Sequence, residues 1–234
     1  MGTLYLRQLL VGRDIARGDR AGSAMQNFVY LVGDADARVC GVTDPAGDVR
    51  GIVERAREDV MKLEGALATH YHPDHVGGSM FGFSVQGLPT LLELNPCKVH
   101  AHKLEVPGIR KVTGLSESDF VAHDANDRIA VGAVEIEVLH TPGHTPGSSC
   151  FRVRLPDADA LLAGDTLFLE GCGRVDLPGG DPDEMRRTLG QRLSKLPDET
   201  VLYPGHAYGG QSAPLSVVRR TNPYFRGRAA TPDG

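Results

Sequence analysis

The chain has 234 residues, 41% apolar and 24% charged, with a formal net charge of −5 at pH 7. That length suits one large domain, the apolar share excludes wholesale disorder, and the mild acidity argues against a nucleic-acid binder held by charge. The unusual features are nine histidines, 29 glycines and 15 prolines. Residues 1–7 show no basic segment leading into an apolar run, so no secretory signal is expected. Nowhere does the chain approach the ~18 consecutive apolar residues of a membrane span. Cys40, Cys97, Cys150 and Cys172 have no paired spacing, which fits a reducing cytoplasm better than a disulfide scaffold.

In chain order, Leu4–Val11 and Met25–Val32 read as strands, the second so continuously apolar that burial on both faces is expected. Arg38–Thr43 is a short strand. Across residues 48–63, Ile52, Ala56, Val60 and Leu63 fall on one helical stripe. A strand over Gly65–Thr69 follows and ends at His70. The segment 79–120 is long for a connection and is expected to hold a lid or helical insertion. Within it Met80, Phe81 and Phe83 form either the apolar wall of a substrate pocket or ordinary core. Later strands are expected at Val131–Leu139, Ser149–Val153, Ala160–Ala163 and Thr200–Tyr203. At Asp181-Pro182-Asp183-Glu184 an N-cap, a first-turn proline and acidic residues announce a helix whose stripe is Met185, Leu189, Leu193 and Leu196. Strands interleaved with helices make a layered α/β (α+β) chain, one domain over residues 1–234, with functional groups on loops at strand ends.

The histidines concentrate at those strand ends. Thr69-His70-Tyr71-His72-Pro73-Asp74-His75-Val76-Gly77-Gly78 packs three imidazoles and a carboxylate into a single loop. In extended backbone His70 and His72 project to one side, and Pro73 then forces a turn that lets Asp74 and His75 face a second position. The two glycines permit tight entry into a following helix. Three more loops repeat the theme: His144 within a Pro/Gly-rich run, Asp165 directly after an apolar strand, and His206 after Tyr203-Pro204-Gly205. Together they supply enough nitrogen and oxygen ligands for two metal ions sharing a carboxylate.

The His-x-His-x-Asp-His run at 70–75, with His144, Asp165 and His206 in that order, resembles the metallo-β-lactamase superfamily over nearly the whole chain. The resemblance implies a four-layer αββα sandwich with metals at one edge between two sheets. It assigns His70, His72 and His144 to one metal, Asp74, His75 and His206 to a second, and Asp165 to a bridge. Two divalent ions are implied, zinc first, with iron or manganese as the other choices. Gly164-Asp165-Thr166-Leu167-Phe168 followed by Gly171-Cys172-Gly173-Arg174 is similar to the glyoxalase II and persulfide dioxygenase branch, whose members act on glutathione derivatives. That likeness makes Arg174 and Tyr208 substrate-binding candidates and implies a small anionic thiol conjugate as substrate, with no nucleic-acid or membrane partner; a homodimer is compatible with it.

Two features depart from glyoxalase II. Asp176 stands where it carries a glutathione-contacting tyrosine, and the run after His206 is too short for its helical glutathione-binding tail. Arg174-Val175-Asp176 and Arg219-Arg220-Thr221-Asn222-Pro223 look more like the dioxygenases. The expected activity is thioester or ester hydrolysis by metal-bound hydroxide, with Asp165 positioning the water and Asp74 anchoring the second ion. The alternative is an Fe(II)-dependent dioxygenase of glutathione persulfide, with one iron on His70, His144 and Asp165. A binding protein on a retained scaffold ranks last, because no ligand is missing. His100 and His102 are expected in structural or surface roles and His123 in an exposed one. His140 is left between burial and a supporting hydrogen bond. Arg219, Arg220, Arg226 and Arg228 read as solvated surface.

Overall fold

A computed structural model describes residues 2–17 and 20–225; Arg226 and Arg228 lie outside the described residues. Chain order is β1 (Leu4–Leu10), α1 (Arg20–Met25), β2 (Phe28–Asp34), β3 (Val39–Thr43), α2 (Val49–Glu58), β4 (Lys62–Ala68), α3 (Pro73–Val76), β5 (Gly78–Met80), β6 (Phe83–Val85), α4 (Leu88–Leu94), β7 (Lys98–His102), α5 (Val106–Thr113) and β8 (Phe120–His123). Then follow β9 (Arg128–Val131), β10 (Val134–His140), β11 (Ser149–Val153), β12 (Ala160–Gly164), α6 (Pro182–Arg187), β13 (Val201–Pro204), β14 (Ala213–Pro214) and α7 (Leu215–Thr221).

One six-stranded sheet runs β1-β2-β3-β4-β7-β8 and a second runs β14-β13-β12-β11-β10-β9. Strand alternation divides the apolar side chains among three cores. Phe28, Tyr30 and Val32 of β2 face Ile136, Val138, Phe151 and Leu162 of the second sheet, building the middle core. Val29 and Leu31, between them, face the other way against Ile52, Ala56, Leu91 and Ile109 of α2, α4 and α5. On the far side Leu161 and Ala163 of β12 meet Met185, Leu189, Leu193, Leu196, Leu215 and Val218. Three cores between four layers make the αββα sandwich, and each fully buried Leu, Val or Phe contributes about 1.5–3 kcal/mol. Among the described residues no helix is long and apolar enough to cross a membrane.

Several elements differ from the sequence reading. The helix over 48–63 stops at Glu58, because Val60 takes a left-handed φ of 60° and is 61% exposed, and Leu63 joins β4. The strand expected over Val131–Leu139 is the hairpin β9–β10, turned at Gly132, where φ is 61° and a side chain would strike Asp34. The second strand begins at Phe28 rather than Met25. Gly77 and Gly78 follow α3 instead of entering a helix; Gly77 ends it with φ 86° and passes so close to Gly87 that a Cβ there would lie 2.7 Å from the Gly87 Cα. Residues 79–120 hold the β5–β6 hairpin, α4 and α5, and also β7 and β8, which belong to the first sheet. Arg219 is held rather than solvated: it pairs with Asp198 and donates to the Ser194 and Leu196 carbonyls at 3.1 and 2.8 Å.

The sheets meet along one edge through backbone hydrogen bonds. Phe28 N donates to Gly205 O (2.8 Å) and Ser149 N to Thr69 O (3.0 Å), while within the second sheet Gly205 N donates to Gly164 O (2.7 Å). The parallel pairs β3–β4 and β12–β13 finish at this same edge, so the residues just beyond them converge.

Candidate metal centre

His70 leaves the end of β4, His144 sits in the β10–β11 loop, Asp165 follows β12 and His206 follows β13. The chain thereby brings together all seven residues expected as ligands. His70, His72 and His144 form one cluster, and Asp74, His75 and His206 another, with the ligand atoms of each within 4.8 Å of one another. His72 Nδ1 lies 2.9 Å from His144 Nε2, and His75 Nε2 lies 3.2 Å from His206 Nε2. Asp165 stands between the clusters: its Oδ2 is 3.6 Å from His144 Nε2, and its Oδ1 is 3.3 Å from both His75 Nε2 and His206 Nε2.

The outer ring nitrogens settle which nitrogen faces inward. His144 Nδ1 lies 2.7 Å from the Arg174 carbonyl and His206 Nδ1 2.7 Å from the Met25 carbonyl. A carbonyl only accepts, so each Nδ1 carries a proton and each Nε2 faces inward. His75 Nδ1 faces Asp44 Oδ2 at 3.1 Å and His70 Nδ1 faces Thr69 Oγ1 at 3.0 Å. His70 Nε2 is buried and has no hydrogen-bond partner among the described residues; Asp165 Oδ1 is buried and has no aligned donor. A buried imidazole nitrogen without a partner, beside a buried carboxylate oxygen met only by imidazole nitrogens at 3.3 Å, fits a cation.

The electrostatics agree. Burial, then the neighbouring imidazoles, depress His70 and push His72 down to about 4, so both rings are neutral at pH 7, the form a metal ion requires. Burial opposes charge on Asp74 and Asp165, but His75 and His206 hold both carboxyls below the usual carboxylate range. His75 and His206 are in turn raised, against burial, chiefly by Asp165. The buried carboxylates favour positive charge here, carried by the two imidazoles or by a cation that displaces their protons.

A family model described as the metallo-beta-lactamase superfamily matches residues 22–206. The chain belongs to the metallo-beta-lactamase superfamily. Within that superfamily, the hydroxyacylglutathione hydrolase of Pseudomonas putida is 36% identical over 205 residues, which cover 86% of this chain and 70% of that protein. This chain spans between 64% and 70% of the length of the hydroxyacylglutathione hydrolases first matched. Among solved structures, ETHE1 from Myxococcus xanthus aligns with a TM-score of 0.73 at 28% identity, covering 94% of this chain and 83% of that one. TTHA1623, crystallised in a di-iron-bound form, aligns with a TM-score of 0.68 at 30% identity over 86% of this chain and 96% of that one.

The two expected substrate residues of this superfamily member are placed differently. Tyr208 stacks flat on His206, ring centroids 4.9 Å apart, and is 46% exposed at the mouth of the site. The Arg174 guanidinium turns outward into a bidentate pair with Asp176 (2.9 and 2.8 Å), while its backbone carbonyl orients His144. Three supporting residues escaped the sequence reading. Asp44, one residue past β3, accepts from Thr69 N and Oγ1 as well as facing His75. Asn27 Nδ2 donates to the Asp74 carbonyl and to its Oδ2 at 3.0 and 3.1 Å. Glu105, fully buried, accepts from Thr145 Oγ1 and Gly147 N and so braces the loop carrying His144. Asp44 had a signal, a carboxylate directly after an apolar strand, the same cue that marks Asp165.

The other histidines form a separate group. His100 Nδ1 is 2.9 Å from His123 Nε2, and His102 stacks on His140 with centroids 4.1 Å apart. His123 is buried rather than exposed, because β8 pairs with β7 and sets it opposite His102. His140 Nε2 lies 2.9 Å from the Pro146 carbonyl, a supporting bond to the loop of His144.

Proposed function

We propose that this protein is a metal-dependent hydrolase of a thioester or ester, of the hydroxyacylglutathione hydrolase kind. One observation carries the reading: two clusters of candidate ligand atoms lie side by side with Asp165 between them. His70, His72 and His144 would hold one divalent ion and Asp74, His75 and His206 a second, with Asp165 placed to serve both. Bound ions of this kind lower the pKa of water to about 7 and polarise a carbonyl oxygen. Nitrogen-rich donor sets suit zinc, and iron or manganese share the preference for imidazole and carboxylate.

The chain's own groups then do the positioning. Asp165 accepts a hydrogen bond from the attacking water and aims its oxygen at the carbonyl carbon. The carbon–sulfur bond breaks, the water oxygen stays on the acyl product, and the thiol leaves with a proton. Asp74, fixed by Asn27, keeps the second position from drifting. Tyr208, stacked beside His206, offers its hydroxyl to the thiol portion. Arg174 is assigned to a substrate carboxylate, which it reaches by exchanging Asp176 for it. The relative in Pseudomonas putida supports a glutathione-derived thiol, a small soluble molecule.

A second reading is favoured by the likeness to ETHE1 across 94% of the chain: an Fe(II)-dependent dioxygenase of glutathione persulfide, with iron on His70, His144 and Asp165. One preparation separates the two. Protein purified without added metal is analysed for bound metal, then assayed for thioester hydrolysis and for oxygen uptake with glutathione persulfide. Two metals per chain with hydrolysis and no oxygen uptake is the expected result. Oxygen uptake abolished by iron removal, with no hydrolysis across a panel of thioesters and lactones, would overturn it.

A further inference from the structure

A cleft of about 510 Å³ lies beside the candidate metal centre, with Asp74 and Asn27 among its lining residues. Its walls are Val11, Met25, Met80, Phe81, Phe83 and Val85, with Ala24 and Ala46 completing the apolar surface. Asp74 is the one ionisable side chain among the described residues lining it. Phe81 and Phe83 are the most exposed large apolar side chains described, at 88% and 71%. Both belong to the β5–β6 hairpin, which is anchored at its base, where Gly47 N donates to Gln86 O at 3.0 Å, and open at its tip, where nothing lies within 4 Å of a Cβ placed on Gly82. Exposed phenyl rings are unfavourable unless something covers them, and these two border a pocket of ligand size that opens onto the proposed metals.

We infer that this cleft is an acyl subsite and that the substrate's acyl group is an apolar chain, not a small hydroxyacyl group. The inference rests on the hydrolase reading for the reaction and deepens it by naming the substrate class. Charge supports the orientation. A tripeptide thiol carries carboxylates, and no cationic side chain among the described residues lining the cleft pairs with them; an alkyl chain needs no such partner and covers Phe81 and Phe83. The thiol half of the substrate then lies on the Tyr208 side of the centre.

Uncleavable thioethers of 2-mercaptoethanol with alkyl chains of two, four, six and eight carbons test this by calorimetric titration of the metal-loaded protein. Affinity is expected to rise about three- to fourfold per methylene until the cleft is filled. In the F81A/F83A double variant that slope should fall by half or more, and in F81L/F83L it should return. Because both rings are exposed, the variants are expected to fold, which their metal content checks. An affinity independent of chain length, or a slope unchanged in F81A/F83A, overturns the acyl subsite. Acyl thioesters of the same lengths are assayed in parallel. Chain-dependent thioether binding without hydrolysis of any thioester removes the hydrolase reading and leaves the apolar subsite standing. Hydrolysis of hydroxyacylglutathione alongside a flat thioether series does the reverse.

Discussion

His75 shows how much of a ligand's chemistry is set by the residue behind it. Its Nδ1 faces Asp44, which fixes the ring and keeps Nε2 turned toward Asp74, Asp165 and His206. Asn at position 44 would keep the shape and the left-handed backbone but weaken the anionic acceptor. D44N is therefore expected to lose about 10–100-fold in metal affinity, read by competition with a chelator, with its fold intact by circular dichroism. Glu105 carries a pH dependence. Burial outweighs its hydrogen bonds and pushes its carboxyl up to about 7 from the ordinary 4.5. The folded state thus binds the proton more tightly than the unfolded chain, so this contribution is complete below pH 4.5 and is lost as pH rises through about 7. Compared with wild type, E105Q should gain on the order of 2–3 kcal/mol of relative stability between pH 5 and 8 in paired denaturant titrations. A difference that stays constant with pH would show that Glu105 ionises normally.

Loops at strand ends hold the ligands in place, and glycines let those loops touch. A Cβ on Gly173 would lie 2.1 Å from the Asp165 carbonyl and 2.8 Å from His144 Nδ1. G173A must therefore move a residue on each side of the centre, and a fall of at least tenfold in metal affinity and activity is expected, out of proportion to any change in stability. The same scale explains which elements could be read in advance. The α6 start was legible because Asp181 caps it within three residues: its Oδ1 accepts from Asp183 N and Glu184 N at 2.8 and 3.0 Å. The end of α2 was not. Val60 and Leu63 continue the helical stripe, yet Leu63 serves the outer core better from β4, a choice made by sheet pairing rather than by local propensity.

Across the whole molecule, the candidate metal centre draws on loops of both sheets, so metal binding and folding should be linked. Ions held a thousandfold above their dissociation constant add about 4 kcal/mol to stability, and for a chain of this size that shifts the melting temperature by roughly 8–16 °C. Calorimetry before and after chelation is expected to show a drop of about that size, reversed on restoring the metal. An unchanged transition would mean that the clusters hold no ion at equilibrium.

The amino-acid sequence by itself determined the layered fold and the seven candidate ligands that the fold gathers, because strand alternation and the run His70–His75 are local patterns, and His144, Asp165 and His206 each follow an apolar strand. Tertiary structure decided the rest. Asp44, Asn27 and Glu105 act on residues 31, 47 and 40 positions away, distances at which no local pattern links them. The apolar cleft beside Asp74 likewise arises through space, from side chains as far apart in the chain as Val11 and Val85. Local periodicity reports which face of an element is buried; what that face meets is set only when the sheets and loops pack.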